Sequence, residues 1–272
     1  MILSISNIAW TADNDEKVYG FMKEHGFSGL EIAPTRIFPE APYEDLAAAG
    51  RWKEGLQARF GFIVPSMQSI WYGRKEKLFG SAEEREALLS YTKKAVDFAQ
   101  AIGCANLVFG CPVSRAIPEG KDAGSAISFF RELGEYAYAK QTVIGMEANP
   151  KIYNTNFINT TEEAFDLIEA VDSKGFLLNL DLGTMIENGE SADILKGRTD
   201  LINHVHISEP GLKPVRKRKI HEQIAELLKA GEYQKAVSIE MGRQEDIDLL
   251  SRTMEYVRNV FDRERYELHH GV

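Results

Sequence analysis

The chain has 272 residues, 44% of them hydrophobic and 27% charged, which is the composition of an ordinary globular protein with ample material for a core. Its formal net charge of −9 disfavours nonspecific binding to nucleic acid or to an anionic membrane surface. With no basic leader, no stretch of membrane-spanning length and only two cysteines, the chain is expected to be cytoplasmic, without a membrane partner or a disulfide framework.

Short apolar runs alternate along the chain with longer segments of helical periodicity. Eight runs, most of them rich in β-branched residues, predict strands at 2–8, 29–33, 61–67, 105–109, 142–147, 175–181, 202–207 and 236–240. Apolar residues recur at helical spacing in the segments 83–101, 162–171, 221–230 and 247–261.

The alternation of strands and helices predicts the fold class. Strands separated by helices pair in parallel, and eight repeats predict a single (β/α)8 TIM barrel over residues 1–262, followed by a polar C-terminal tail at 263–272. A doubly wound open sheet is the alternative, and it is weakened because no G-x-G-x-x-G motif follows the first strand. In such a barrel the active site lies at the carboxyl ends of the strands, so the residues that end each strand indicate the chemistry.

Four predicted strands end in residues that bind metal ions. The fifth and sixth end in Glu147 and Asp181, the seventh ends in His204-Val-His206, and the eighth ends in Glu240. A carboxylate at the end of an apolar strand is costly unless it is paired or coordinated. Three carboxylates and an imidazole on successive strands suit one divalent ion, with Mn²⁺ expected first and Mg²⁺, Co²⁺ or Zn²⁺ as alternatives. The competing interpretation is a hydrogen-bonded acidic cluster with arginine partners.

The sequences around these strand ends, EANPKIYNTNF, DLGT, HVHISEP and SIEMG, resemble the sugar phosphate isomerase/epimerase family with the xylose-isomerase-like TIM barrel. The site pattern is similar to that of D-tagatose and D-psicose 3-epimerases and hydroxypyruvate isomerases, and the resemblance spans essentially the whole chain. It implies that Glu147, Asp181, His206 and Glu240 bind one divalent metal ion. It also implies that Glu147 and Glu240 are the catalytic acid/base pair. These motifs are specific for the fold and the metal but not for the substrate.

Three positions depart from the epimerase pattern. Thr184 stands where the epimerases usually carry a histidine, three residues after the aspartate of the sixth strand. Tyr153 stands where they use a substrate-binding glutamate, and Leu212 stands where an arginine is expected. The residues that hold the sugar therefore differ from those of the epimerases that act on free ketohexoses.

Two further residues lie close to His206 in the sequence. His204 is two residues earlier on the same strand face, so it is expected one layer deeper, as a packed or supporting residue rather than a ligand. Glu209 follows in the next loop. It is a candidate to orient His206, because a metal-binding histidine commonly donates its second ring N–H to a carboxylate. The alternative is an ordinary exposed acid of the loop.

Other residues near the predicted rim are candidates for binding the substrate. Trp10 follows the first strand, Glu31 lies in the second, Gln68 and Trp71 follow the third, and Asn149 comes just after the fifth. An apolar wall with a few polar groups is the usual composition of a small-molecule pocket. Core packing is the alternative role for the two tryptophans.

Three basic residues extend this set. Arg74 and Arg115 lie in the loops after the third and fourth strands. Because arginine binds carboxylate and phosphate groups in a bidentate fashion, the pair predicts an acidic group on the substrate, with surface ion pairing as the alternative. His221 opens the helix before the eighth strand and is expected either to reach the rim or to act at the end of that helix.

The expected reaction is proton movement next to a carbonyl of a ketose, sugar phosphate or sugar-acid-like substrate, through an enediolate. The sequence leaves epimerase and isomerase open. A lyase or dehydratase using the same site is an alternative, and so is a non-catalytic barrel that binds a sugar acid. An apurinic endonuclease is disfavoured, because such enzymes use several metals and many histidines, and this chain is acidic with six histidines. The expected partner is a small carbohydrate, with no nucleic acid; homo-oligomers are common among such barrels, but no interface is identified.

Overall fold

A computed structural model describes residues 1–262, so the predicted tail at 263–272 lies outside the described residues. Within that range the chain forms a curled parallel sheet whose successive strands are separated by helices. Its seven strands are β1 (Ile2–Ser6), β2 (Gly29–Glu31), β3 (Leu107–Phe109), β4 (Ile144–Glu147), β5 (Phe176–Asp181), β6 (Ile202–Ile207) and β7 (Ala236–Ile239). The order across the sheet is β2-β1-β7-β6-β5-β4-β3.

The helices confirm the periodicity seen in the sequence. The predicted helices at 83–101, 162–171, 221–230 and 247–261 form within two residues of their predicted bounds. Among residues 1–262, no helix is long and apolar enough to cross a membrane. The α-helices of the described range are α1 (Asp15–Glu24), α2 (Pro34–Ile37), α3 (Leu46–Phe60), α4 (Ala82–Ile102), α5 (Gly124–Ala139), α6 (Thr161–Val171), α7 (Leu182–Asn188), α8 (Lys219–Ala230) and α9 (Asp248–Phe261).

The third predicted strand does not form a continuous strand. Ile63 makes an isolated parallel bridge with Gly29 of β2, and Met67 makes another with Leu107 of β3. Pro65 lies between them and has no backbone N–H to donate, which interrupts a regular hydrogen-bonded ladder. Seven of the eight predicted strands are therefore confirmed, and an irregular segment connects the two edges of the curled sheet.

The strand register brings the chemically active residues together. Glu147 of β4 pairs with Asn179 of β5, and Asp181 of β5 pairs with His206 of β6. Because all the strands are parallel, their carboxyl ends lie at the same end of the sheet. Side chains at this end face each other across the curled sheet, and Glu240 joins them directly after β7.

Candidate metal centre

The four residues predicted to bind a metal ion come together at the carboxyl ends of β4 to β7. One ligand atom from each of Glu147, Asp181, His206 and Glu240 lies within 4.8 Å of the others. The three carboxylates are each 8% exposed and His206 is fully buried, so the cluster opens to solvent only through its acidic oxygens. This spacing and this donor set fit one hard or borderline divalent ion.

The imidazole of His206 is oriented as a metal ligand requires. Its Nδ1 lies 2.9 Å from Glu147 Oε1 and 3.3 Å from Glu240 Oε2. Its Nε2 lies 2.9 Å from Glu31 Oε2 and is placed to donate to it. A carboxylate that accepts the N–H of one ring nitrogen fixes the tautomer and leaves the other nitrogen for the metal.

Glu31 is thus placed behind the histidines and not in the cavity where the sequence predicts it to bind substrate. It is fully buried, and its Oε2 lies 3.0 Å from His204 Nε2. Its Oε1 accepts from Gln68 Nε2 at 3.2 Å. Glu31, His204 and His206 have ligand atoms within 4.8 Å of one another, and the deeper, supporting role expected for His204 stays a prediction.

The partner predicted for His206 was Glu209, and the structure assigns that carboxylate to another group. Glu209 accepts from Arg218 Nε at 2.6 Å and from the backbone N–H of Arg216 at 3.2 Å. The prediction is wrong because the loop after β6 turns Glu209 towards the basic segment before α8. Glu31 lies on β2, which β1 and β7 separate from β6 in the sheet, and it supplies the carboxylate that contacts His206 Nε2.

Asp181 has two roles at the end of β5. It is the N-cap residue of α7, and its Oδ2 accepts from both the backbone N–H and the hydroxyl of Thr184 at 2.7 Å. Its Oδ1 accepts from the hydroxyl of Ser208. Thr184, which replaces a histidine of the epimerase pattern, therefore fixes the orientation of the Asp181 carboxylate.

Burial and neighbouring charges shift the pKa values of this cluster. Burial raises the pKa of Glu240 to about 7, and burial together with the charge of Glu147 raises the pKa of Asp181. Burial acts to lower the pKa of His206, but the carboxylates of Glu240 and Glu31 raise it well above its ordinary value. A bound cation favours ionised carboxylates and a neutral imidazole, so the chemistry of the donors fits a divalent ion.

A cavity of about 210 Å³ opens above these carboxylates. Gln68 and Asn149, both predicted to bind substrate, line it, and no lysine or arginine of the described range does. The hydroxyl of Tyr153 accepts the backbone N–H of Gly211 at 2.8 Å and so joins the loops after β4 and β6 across the mouth. The lining residues are Gln68, Ser69, Val108, Gly110, Cys111, Pro112, Glu147, Asn149, Tyr153, Asp181, Ser208, Glu209, Leu212 and Glu240.

The two predicted tryptophans lie in the packed core and not in this cavity. Trp10 is 2% exposed and donates from its indole nitrogen to Asp15 at 2.7 Å. Trp71 is 4% exposed, donates to Thr92 at 2.8 Å, and packs edge-on against Phe109 with ring centroids 4.6 Å apart. Their large apolar surfaces are satisfied inside the protein, which is the alternative that the sequence left open.

The predicted basic residues also lie away from the cavity lining. Arg74 pairs with Glu76 and stacks over the ring of Tyr91, with 4.6 Å from its guanidinium carbon to the ring centroid. Arg115 is fully buried beneath the cavity. His221 is buried against α9, with Nδ1 2.9 Å from the Tyr256 hydroxyl, and burial lowers its pKa to about 4. The acidic substrate inferred from the two arginines has no support in these positions.

Three residues of the site were not identified from the sequence. Asn179 donates to Glu147 Oε1 at 3.0 Å, and Ser208 donates to Asp181. Each lies two residues from a predicted ligand on the same strand line, so the period of two was the available signal. Gly110 leaves room for the Glu147 carboxylate, because a Cβ at that position would lie 2.7 Å from Glu147 Oε2.

Comparisons of the sequence place the chain among known barrels. A family model described as xylose isomerase-like TIM barrel matches residues 20–260. A comparison with curated proteins finds no significant match.

Comparisons of the structure give the same architecture. A D-psicose 3-epimerase with D-tagatose from Clostridium cellulolyticum H10 superposes with a TM-score of 0.77 at 17% identity, covering 96% of this chain and 99% of the other. A 3-keto-D-glucoside 4-epimerase from E. coli has a TM-score of 0.76 at 20% identity, covering 95% and 99%. A D-allulose 3-epimerase from Methylomonas sp. in complex with D-allulose has a TM-score of 0.75 at 19% identity, covering 96% and 97%. At these identities the likeness establishes a shared fold.

Proposed function

Because the chain belongs to the xylose isomerase-like TIM barrel family, we propose that it is a divalent-metal-dependent isomerase or epimerase of a carbohydrate. The observation that carries the proposal is the convergence of Glu147, Asp181, His206 and Glu240 at one cavity. Structures that share its fold are described as epimerases of D-psicose, D-allulose and a 3-keto-D-glucoside, which supports a carbohydrate substrate.

The two glutamates are proposed as the proton carriers. Glu147 and Glu240 both approach His206 Nδ1, at 2.9 Å and 3.3 Å, and both line the cavity. An epimerase needs one group to remove a carbon-bound proton and another to return it on the opposite face, and an isomerase can use one of them. Asp181 and His206 are proposed as ligands only: Asp181 is the N-cap residue of α7, and the second ring nitrogen of His206 faces the Glu31 carboxylate.

The chemistry is proton transfer next to a carbonyl. Glu147, Asp181, His206 and Glu240 would hold a divalent ion, which when bound would supply Lewis-acid stabilisation of the negative charge that develops on the substrate. Glu147 removes the proton from the carbon and leaves an enediolate, and Glu240 delivers a proton to it. Burial raises the pKa of Glu240 to about 7, and a bound cation would lower it, so the base strength of Glu240 in the loaded site would be set by both effects.

The cavity favours a neutral ketose over a phosphorylated or carboxylated substrate. Its lining contains four carboxylates, three of which belong to the metal cluster. Arg74 and Arg115, the basic residues predicted for an anionic group, contact Glu76 and Asn149 instead. Val108, Pro112 and Leu212 supply apolar surface on the same cavity. No lysine or arginine of the described range lines the cavity, so an anionic substrate group would depend on the bound cation alone for a partner of opposite charge.

The test is exchange of a carbon-bound proton with deuterated water. Neutral ketoses, ketose phosphates and keto-acids are each incubated with the protein and Mn²⁺, Mg²⁺, Co²⁺ or Zn²⁺, and deuterium incorporation is followed by NMR. We expect exchange and a second sugar product with at least one neutral ketose and none without metal. If none of the candidate substrates exchanges a carbon-bound proton, the proposal is contradicted. Cleaved or dehydrated products point to a lyase, and cutting of abasic DNA points to an endonuclease.

A further inference from the structure

Arg115 is a buried arginine without a carboxylate in contact. It ends the short 3₁₀ helix Pro112–Arg115 after β3 and is fully buried. Its Nη2 donates to Asn149 Oδ1 at 2.9 Å and to the carbonyl of Ile158 at 3.4 Å, and its Nε has no hydrogen-bond partner. Within residues 1–262 it forms no ion pair. Burial lowers its pKa to about 10, so the guanidinium remains charged at neutral pH. Burying a charge without an ion-pair partner is costly, so the contacts that Arg115 makes are expected to have a function.

The partner of Arg115 contacts the metal centre. Asn149 Nδ2 donates to Glu147 Oε2 at 2.9 Å. A guanidinium can only donate and an ionised carboxylate can only accept. The amide between them must therefore turn its oxygen to Arg115 and its nitrogen to Glu147, and Arg115 fixes this orientation.

The hydrogen bond from Asn149 makes the two oxygens of Glu147 unequal. Oε2 is held by Asn149 in the space that Gly110 leaves open. Oε1 accepts from Asn179 at 3.0 Å and lies 2.9 Å from His206 Nδ1, within the metal cluster. With Oε2 held, the carboxylate has one orientation, and Oε1 is the atom presented to the cluster.

We propose that Arg115 is a positioning residue that acts through Asn149 to fix the Glu147 carboxylate, so that Oε1 faces the metal centre before a metal ion binds. The proposal rests on the metal site of the proposed function but not on any particular substrate. Arg115 does not touch the cavity, and its role differs from the binding of an acidic substrate group that its sequence position suggested.

A simple electrostatic role and a positioning role predict opposite effects on metal affinity. Removal of a nearby positive charge by itself tightens the binding of a cation. Loss of positioning weakens binding, because Glu147 must then be ordered when the ion arrives, and loss of such supporting residues commonly costs about 10–100-fold in metal affinity. Weaker binding after removal of the arginine is therefore the opposite of what its charge alone predicts, and it supports positioning.

The experiment is a double-mutant cycle with Mn²⁺ as the probe, measured by calorimetric titration of the full chain. We expect Asn149→Leu and Arg115→Met each to raise the Mn²⁺ dissociation constant about 10-fold or more. The double variant should bind no more weakly than Asn149→Leu alone, because the same connection is already cut. Arg115→Lys keeps a donor for Asn149 and should restore most of the affinity.

The matched control is Arg74→Met, which removes an arginine from a neighbouring loop where it pairs with Glu76. It should leave the Mn²⁺ dissociation constant unchanged. Unchanged or tighter Mn²⁺ binding in Arg115→Met overturns the proposal. It is also overturned if the two single variants weaken Mn²⁺ binding independently, so that their fold-changes multiply in the double variant. If Arg115→Met does not fold, an Asn149→Leu variant with wild-type affinity overturns it as well. If the Mn²⁺ dissociation constants follow the expected pattern but no ketose is turned over, the proposed function is refuted and the positioning role of Arg115 is not.

Discussion

The sequence predicts site residues in two regions, the carboxyl ends of β4 to β7 and the loops and helices beyond the strands. In the structure the strand-end residues converge, but most of the loop and helix residues do not reach the site. Glu147, Asp181, His206 and Glu240 meet within 4.8 Å. Of the loop and helix candidates, Gln68 and Asn149 line the cavity, whereas the others pack or pair elsewhere. Those others are Trp10, Trp71, Arg74, Arg115 and His221.

The difference has a physical cause. A residue at the end of a strand has its position set by the sheet register and its direction set by the alternation of side chains. A residue several positions into a loop has no such constraint, and its own burial decides where it lies. Burying a tryptophan contributes about 5 kcal/mol from its apolar area, which exceeds what a contact with a polar substrate offers. The half-buried ion pair of Arg74 with Glu76 is still screened by solvent and contributes about 1 kcal/mol.

The largest effect is expected at a strand end, from Glu240→Gln. The amide keeps the shape of the side chain but cannot carry the proton, so turnover should fall by about 10²–10⁴-fold while the fold is kept. Proton exchange on the identified ketose measures the loss, and the thermal unfolding midpoint controls for folding. Activity equal to that of the wild type would remove Glu240 from the mechanism.

Glu31→Gln tests whether the buried carboxylate behind the histidines belongs to the strand-end centre. Because Glu31 accepts from His206 Nε2, its loss should weaken Mn²⁺ binding about 10–100-fold by freeing the ring orientation and tautomer. A calorimetric titration with Mn²⁺ measures this. A change confined to the KM for substrate, with normal metal affinity, would return Glu31 to the substrate-binding role predicted from sequence.

His221 should affect stability rather than catalysis. Its buried imidazole has a pKa lowered to about 4, so the unfolded chain takes up a proton below the ordinary value near 6.5 while the folded chain does not. Stability from this group is present above pH 6.5 and is lost as the pH falls towards 4. Between pH 7.5 and 5 the loss should be about 2 kcal/mol and should vanish in His221→Gln. Urea unfolding at both pH values measures this loss of unfolding free energy. If His221→Gln changes the KM but not the pH dependence of stability, His221 instead contacts the substrate at the rim of the site.

The smallest effect is expected from Arg74→Ala. The side chain is held by Glu76 and Tyr91 outside the cavity, so kcat and KM for a ketose should stay within about twofold of the wild type. A large rise in KM, above all for a substrate with a phosphate or carboxylate, would show that the loop after the third predicted strand delivers an arginine to the substrate.

The sequence predicts the parallel α/β architecture because strand runs and helical periodicity are both strong in it. It misses the irregular third segment, where Pro65 is visible but its effect on the hydrogen-bonded ladder depends on the neighbouring strands. It identifies the four strand-end residues because carboxylates at the ends of apolar strands are unusual. It misassigns Glu31 and Glu209, because the sequence gives no direct measure of which carboxylate, among residues far apart in the chain, faces His206.

The stoichiometry of Mn²⁺ binding tests the metal centre most directly, by equilibrium dialysis of the full chain and of His206→Ala. We expect one tightly held ion per wild-type chain and loss of that ion in His206→Ala, because one of four converging ligands is removed. No bound ion in the wild type, or full occupancy after His206→Ala, would contradict the claim that β4 to β7 end in a single metal centre.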